Sequence, residues 1–260
     1  MPALKNRKGI MMKRSIAAGL VLCAALVYSG SAAGERDTHA SIKSNAMLIQ
    51  QKHPLTAQQK QTAVIAAYAA TGDIPALHQA LQQALDAGLT ISDCREILVQ
   101  LYAYAGFPRS LNALAELMKV IDARREQGIK DAEGRAPGPL PKPEEMLAAG
   151  TQNQTTLAGS PVKGALFDFA PAIDHYLKVH LFGDIFSRDN LDWKSRELAT
   201  VAALAAMTGV ESQLKAHLGI SKNVGLTDAQ LAELIPLFES RGENSTAQRL
   251  QGALDAVRDR

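Results

Sequence analysis

Residues 194–221 read "KSRELATVAALAAMTGVESQLKAHLGIS", an alanine-rich run broken once by a Thr-Gly pair. Alanine is the strongest helix former and lets backbones approach closely, so the run predicts two helices meeting at a turn. Gly209 suits the stop, because glycine accepts the left-handed backbone that ends many helices. Three residues stand apart from this frame: Arg196 and Glu197 at the first helix start, and His217 near the end of the second.

The frame occurs a second time, 137 residues earlier. Val64, Ala66, Ala69, Thr71, Gly72 and Leu81 match Val201, Ala203, Ala206, Thr208, Gly209 and Leu218 without a gap. The "GLT" of 88–90 matches the "GLT" of 225–227, and Glu96 matches Glu233. Alanine matches carry little weight in so alanine-rich a chain. The Thr-Gly and Gly-Leu-Thr stops, repeated in the same order, carry more. They predict an all-α chain built by internal duplication, each copy running helix, Thr-Gly turn, helix, Gly-Leu-Thr turn, helix. Thr56 with Gln59 and Thr227 with Gln230 fit capping boxes. Leu231, Leu234, Ile235 and Phe238 have the spacing of one buried helical face.

Five segments follow from this reading. Residues 1–33 form a leader, 34–54 a mobile arm, and 55–128 the first repeat. Residues 129–162 form a Pro/Gly-rich linker, whose prolines exclude a regular helix through 137–143. Residues 163–260 hold a lead-in helix, "PAIDHYLKVHLFGDIF" (171–186), and the second repeat, where Pro236 is expected to kink the third helix.

The leader has Lys5, Arg7, Lys8, Lys13 and Arg14 ahead of the apolar "IAAGLVLCAALVY" (16–28), then Ser31 and Ala33 at the spacing a signal peptidase reads. Met12 offers an alternative start. The expected destination is outside the cytoplasm, periplasmic or secreted. Cleavage after Ala33 removes five positive charges, taking the formal charge from +2 to −3 (2 − 5) and disfavouring nucleic acid as a partner. No later segment is long and apolar enough to span a bilayer, so no stable membrane insertion is expected after cleavage. Cys94 is then the sole thiol, which leaves no internal disulfide. Hydrophobic residues make up 47% of the chain but aromatics only 5%, which suits helix packing better than a sheet sandwich.

"FGDIFSRDNLDWKSRELATVAALAAMTGVESQLKAHLGISKNVGLTDAQLAEL" resembles the carboxymuconolactone decarboxylase family, which shares the alkylhydroperoxidase D-like fold. The resemblance rests on an Arg-Glu-Leu helix start, an alanine-rich helix, a histidine about twenty residues on, and Gly-x-Thr. "GLTISDCREILVQLYAYAGFPRSLNAL" (88–114) is similar to the family's third helix with its Tyr-x-Gly-x-Pro ending. Together the matches span 55–125 and 165–257. The resemblance implies a duplicated helical repeat, a homo-oligomer, and one of two chemistries: loss of carbon dioxide from a carboxylated lactone, or thiol-dependent peroxide reduction. Val210 and Gln213 stand where the peroxidase branch carries its Cys-x-x-Cys, so that branch lacks its electron path.

By the same resemblance Glu197 and His217 are an acid–base pair acting without cofactor or metal on a small carboxylated or lactone molecule. A carboxylate can orient an imidazole and a cation can hold the substrate's anion; Arg196 and Arg109 are the candidates. A solvated or helix-dipole role for Arg196 and Glu197 is the plainer alternative. The first copy has Lys60 and Ala80 in place of Glu197 and His217, while the second lacks the Tyr-x-Gly-x-Pro ending. One composite pocket is therefore expected, with Glu197 and His217 facing Tyr102, Tyr104 and Arg109. His175 and His180 lie five apart, which misses the alignment of an α-helical metal pair, and structural roles are expected for both. A non-catalytic ligand-binding or assembly protein is the alternative from a different functional class.

Overall fold

The computed structural model describes residues 53–258, and among these all regular structure is helical. The leader and nearly all of the 34–54 arm lie outside the described residues. The first copy comprises α1 (Ala57–Thr71), α2 (Ile74–Asp86), α3 (Ile91–Ala105) and α4 (Phe107–Glu126). An intervening segment carries α5 (Met146–Ala158), two short helices α6 (Ala165–Phe169) and α7 (Pro171–Tyr176), and a π-helix over Leu177–Ile185. The second copy comprises α8 (Trp193–Ala206), α9 (Glu211–Asn223), α10 (Asp228–Ala232), α11 (Leu234–Glu239) and α12 (Asn244–Arg258).

The helix boundaries follow from local chemistry. Thr56, Thr90 and Thr227 each form a reciprocal capping box, with Gln59, Asp93 and Gln230 respectively. Gly72 caps α1 at φ 76°, whereas α8 ends at Ala206 with Met207 extended as its cap and Gly209 (φ 80°) turning the chain two residues on; Gly88 and Gly225 serve the next stop at 90° and 91°. Pro236 cannot share the helical ladder of its preceding turn, and the helix that runs unbroken as α3 in the first copy is split into α10 and α11 in the second.

α1 and α8 pack against each other at the centre. Residues 62–70 and 196–206 are buried without interruption, so neither helix keeps a solvent face. The surrounding helices exchange between copies: α3 also packs on α8, and α11 on α1. Two matched glutamates tie this exchange. Glu233 accepts from the Leu55 N–H (3.1 Å) and pairs with Lys60 (3.0 Å). Glu96, only 2% exposed, accepts two bonds from Arg188 (2.6 and 3.0 Å), one from Arg196 Nη2 (2.9 Å) and one from Asn190 (3.1 Å). Gln100 completes the network, donating to Arg196 O and Thr200 and accepting from Arg196 Nη1.

The 129–162 segment is more ordered than a linker. It lacks regular structure through residue 142, as the prolines require, but Ala132 and Glu133 carbonyls accept the first N–H groups of α3. It then forms α5, which packs on the π-helix. A Cβ at Gly150 would overlap the Lys178 carbonyl oxygen, so only glycine lets these two backbones touch. The predicted lead-in helix is thus α-helical only through Tyr176 and wider beyond it. Leu157, Leu181, Phe182, Ile185 and Phe186 form a second small core along this contact.

Burial alone would raise the Glu96 carboxyl, but the hydrogen bonds from Arg188 and Arg196 outweigh it and hold the group below the ordinary carboxylate range. A depressed folded-state value stabilises the protein fully above the unfolded value, ~4.3, and that contribution is lost as pH falls through the folded value. Urea unfolding should therefore show a midpoint that drops on acidification below about pH 4 in the wild type, and less so in Glu96→Gln. Arg196→Leu, which removes one of the two cations on the buried Glu96 carboxylate and leaves Gln100 Oε1 without its donor, should cost about 1–3 kcal/mol at pH 7.

Candidate active site

Glu197 lies in the first turns of α8, fully buried, and His217 comes from α9 after the Gly209 turn. Glu197 Oε2 and His217 Nδ1 are 2.8 Å apart. An ionised carboxylate can only accept, so the shared proton resides on Nδ1 and Nε2 is the ring nitrogen free to exchange protons. The His217 ring lines a cavity of about 760 Å³, within the range of small-molecule sites. Tyr104 of α3 enters from the first copy, its ring 5.5 Å from that of His217 and edge-on at 80°. Burial and then the Glu197 charge push the Tyr104 phenol far above its ordinary value, so it stays protonated and can donate. Tyr104 Oη and Glu197 Oε1 are both buried without a hydrogen-bond partner.

The remaining walls are mostly apolar. Leu177, Leu181 and Phe182 come from the π-helix, Leu166 and Phe167 from α6, and Ile220 from α9. Gln154 of α5 and Lys222 of α9 add polar groups. A larger, more open cleft of about 900 Å³ lies between Pro139–Pro141 and Phe186–Trp193, but among the described residues no paired histidine and carboxylate line it.

The sequence expectations divide at this site. Glu197, His217 and Tyr104 are brought together across the two copies. Arg196 is adjacent to Glu197 but about 100° around the helix, where Glu96 and Gln100 consume its guanidinium; it does not line the cavity. Arg109 donates to the Ala70 carbonyl at the end of α1 instead of facing the site. Tyr102 stacks on Phe107 at 4.4 Å and sits 5.4 Å from His180, away from the cavity lining. In the first copy, Ala80 is buried where His217 would stand, and His78 turns away to pair with Glu116 at 2.7 Å. His180 pairs with Asp184 at 2.6 Å, and among the described residues no group of three or more His, Cys, Asp or Glu could hold a metal ion. Lys222 and Gln154 were not anticipated. Lys222 lies about 160° around α9 from Ile220, off the stripe of Gln213, Ala216, Ile220 and Asn223, so periodicity did not point to it, and Gln154 had no signal within a proline-flanked polar stretch.

A family model described as the carboxymuconolactone decarboxylase family matches residues 38–118 and 171–250. The 4-carboxymuconolactone decarboxylase of Acinetobacter baylyi is 36% identical over 70 residues, 27% of this chain and 52% of that protein. The chain thus spans about half the length of the curated relative it matches.

Cys94 is fully buried, and burial followed by the charges of Asp93 and Asp131 pushes its thiol up to about 12. Thiolate is the reactive species, so this sulfur is inert in the folded protein. With a chain beginning at residue 34, a chromogenic disulfide reagent should label Cys94 only after denaturant is added. Rapid stoichiometric labelling of the folded protein would show instead an accessible thiolate.

Proposed function

The chain belongs to the carboxymuconolactone decarboxylase family, and from that premise we propose that it is a cofactor-independent lyase or isomerase acting on a small carboxylated or lactone substrate. One observation carries the reading: a buried Glu–His pair, 2.8 Å apart, whose imidazole opens into a cavity of substrate size. Of the two chemistries within the fold, thiol-dependent peroxide reduction is disfavoured by the buried, protonated Cys94 and by Val210 and Gln213.

For a decarboxylation the steps balance without a co-reactant. The C–CO₂ bond breaks, its electron pair passes into a conjugated enolate, and carbon dioxide leaves. The imidazolium of His217 delivers the Nε2 proton to carbon, leaving a neutral ring that regains a proton from water. Glu197 fixes the tautomer and stabilises the imidazolium through Nδ1–H, without taking the proton itself. Tyr104, kept protonated by burial, packs edge-on against the imidazole and holds the ring in place. In an isomerisation the same ring removes a proton from one carbon and returns it to another.

Export beyond the cytoplasm and self-association belong to the same proposal. Phe107, Leu111 and Met118 stand 61%, 59% and 65% exposed along α4, a stripe that suits packing against a second copy. Sedimentation of the wild type should give a multiple of the monomer mass, and Leu111→Glu with Met118→Glu should lower it; an unchanged wild-type monomer would refute self-association.

His217→Gln should lower kcat about 10²–10⁴-fold in an assay of carbon dioxide release or lactone isomerisation with carboxylated lactones. Glu197→Gln should act in the same direction with circular dichroism unchanged. Retained turnover in His217→Gln would remove the pair from the chemistry.

A further inference from the structure

The cavity in front of His217 has a chemical character that its acid–base pair does not explain. Its walls carry leucine, isoleucine, valine and phenylalanine side chains from five segments, and among the described residues no aspartate or glutamate lines it. Among the described residues Lys222 is the one lysine or arginine that lines it. The nearest carboxylate to its Nζ is Asp228 at 3.3 Å, in a pair that is 39% and 40% exposed. So open a pair leaves the ammonium able to take a second anion at the cavity rim.

Gln154 supplies an independent observation. It is only 4% exposed, lines the cavity, and makes no side-chain hydrogen bond among the described residues. Buried amides are normally satisfied, and one that faces a cavity awaits a partner from within it. Asn223, by contrast, is already committed to the Leu157 carbonyl at 2.9 Å.

We propose that the cavity binds a monocarboxylate with a carbon-rich, ring-containing body, its carboxylate held by Lys222 and an uncharged carbonyl oxygen held by the Gln154 amide. This deepens the reading of the Glu197–His217 site and rests on it only for where the reacting carbon lies. Lys222, beside its open pair with Asp228, is the cation available to one ligand carboxylate, and a second would be left desolvated against Leu177, Leu181 or Phe182. Lys222 and Gln154 are thus specificity residues of this chain, in the place that the sequence assigned to Arg196 and Arg109.

Three probes test this with the full chain by calorimetric titration: coumarin-3-carboxylate, which joins a lactone carbonyl to a single carboxylate; coumarin, its neutral parent; and adipate, a flexible dicarboxylate. Coumarin-3-carboxylate should bind about tenfold more tightly than either of the others. Lys222→Gln should weaken it to the level of coumarin and leave coumarin itself unchanged. Gln154→Leu, which keeps the shape of the side chain, should weaken both coumarins by the same factor. Thermal unfolding of each variant verifies that the fold is kept. Adipate binding as tightly as coumarin-3-carboxylate, no change in Lys222→Gln, or no coumarin binding at millimolar concentration would each overturn the proposal. His217→Gln separates the two readings, because it should keep the binding order whether or not turnover is lost.

Discussion

Two helices with no solvent face, α1 and α8, impose the rest of the architecture. A helix buried on every side must be enclosed by neighbours, and alanine makes it thin enough for several to reach it at once. Neither copy supplies enough helices to enclose its own first helix. The third helix of each copy therefore crosses to the first helix of the other, and the matched glutamates Glu96 and Glu233 lock the two crossings. This exchange is what carries Tyr104, a residue of the first copy, to within ring contact of His217 in the second. The site is composite because the core is.

The intervening segment gives the site its depth. α5 and the π-helix touch through Gly150, and their shared core places Leu181 and Phe182 along one wall of the cavity, with Gln154 also facing it. A π-helix turns more slowly per residue than an α-helix, which redirects side chains along the 177–185 stretch and is frequent near functional sites. The second repeat holds the Glu197–His217 pair, and the segment between the repeats shapes what can reach it.

Legibility in the sequence followed how local each determinant is. The capping threonines, the left-handed glycines and the duplication are short-range signals, and Thr56, Gly72, Gly209 and Thr227 were all readable from their neighbours. Glu197 and His217 were visible as departures from the repeat. The errors share one cause: they concern which way a long side chain turns. Arg196 looked like a substrate cation because it adjoins Glu197, but only the packed structure shows Glu96 and Gln100 waiting for it 100 residues or so away in sequence. Glu96 carried no signal beyond its match to Glu233, and only the packed structure encloses it between Arg188 and Arg196. Gln154 and α5 were hidden because polar stretches flanked by prolines carry no periodicity to read.

The burial of Ala80 has a bearing on the history of the chain. A side chain the size of imidazole has no room at a position 1% exposed inside a packed core. At the companion position, a glutamate replacing Lys60 would confront Glu233 with a like charge. Building a second Glu–His pair into the first copy would therefore demand several coordinated changes, each harmful alone. Divergence between the two halves is thus held in place by packing: the room that the second copy gives to the Glu197–His217 pair is filled in the first by its own core.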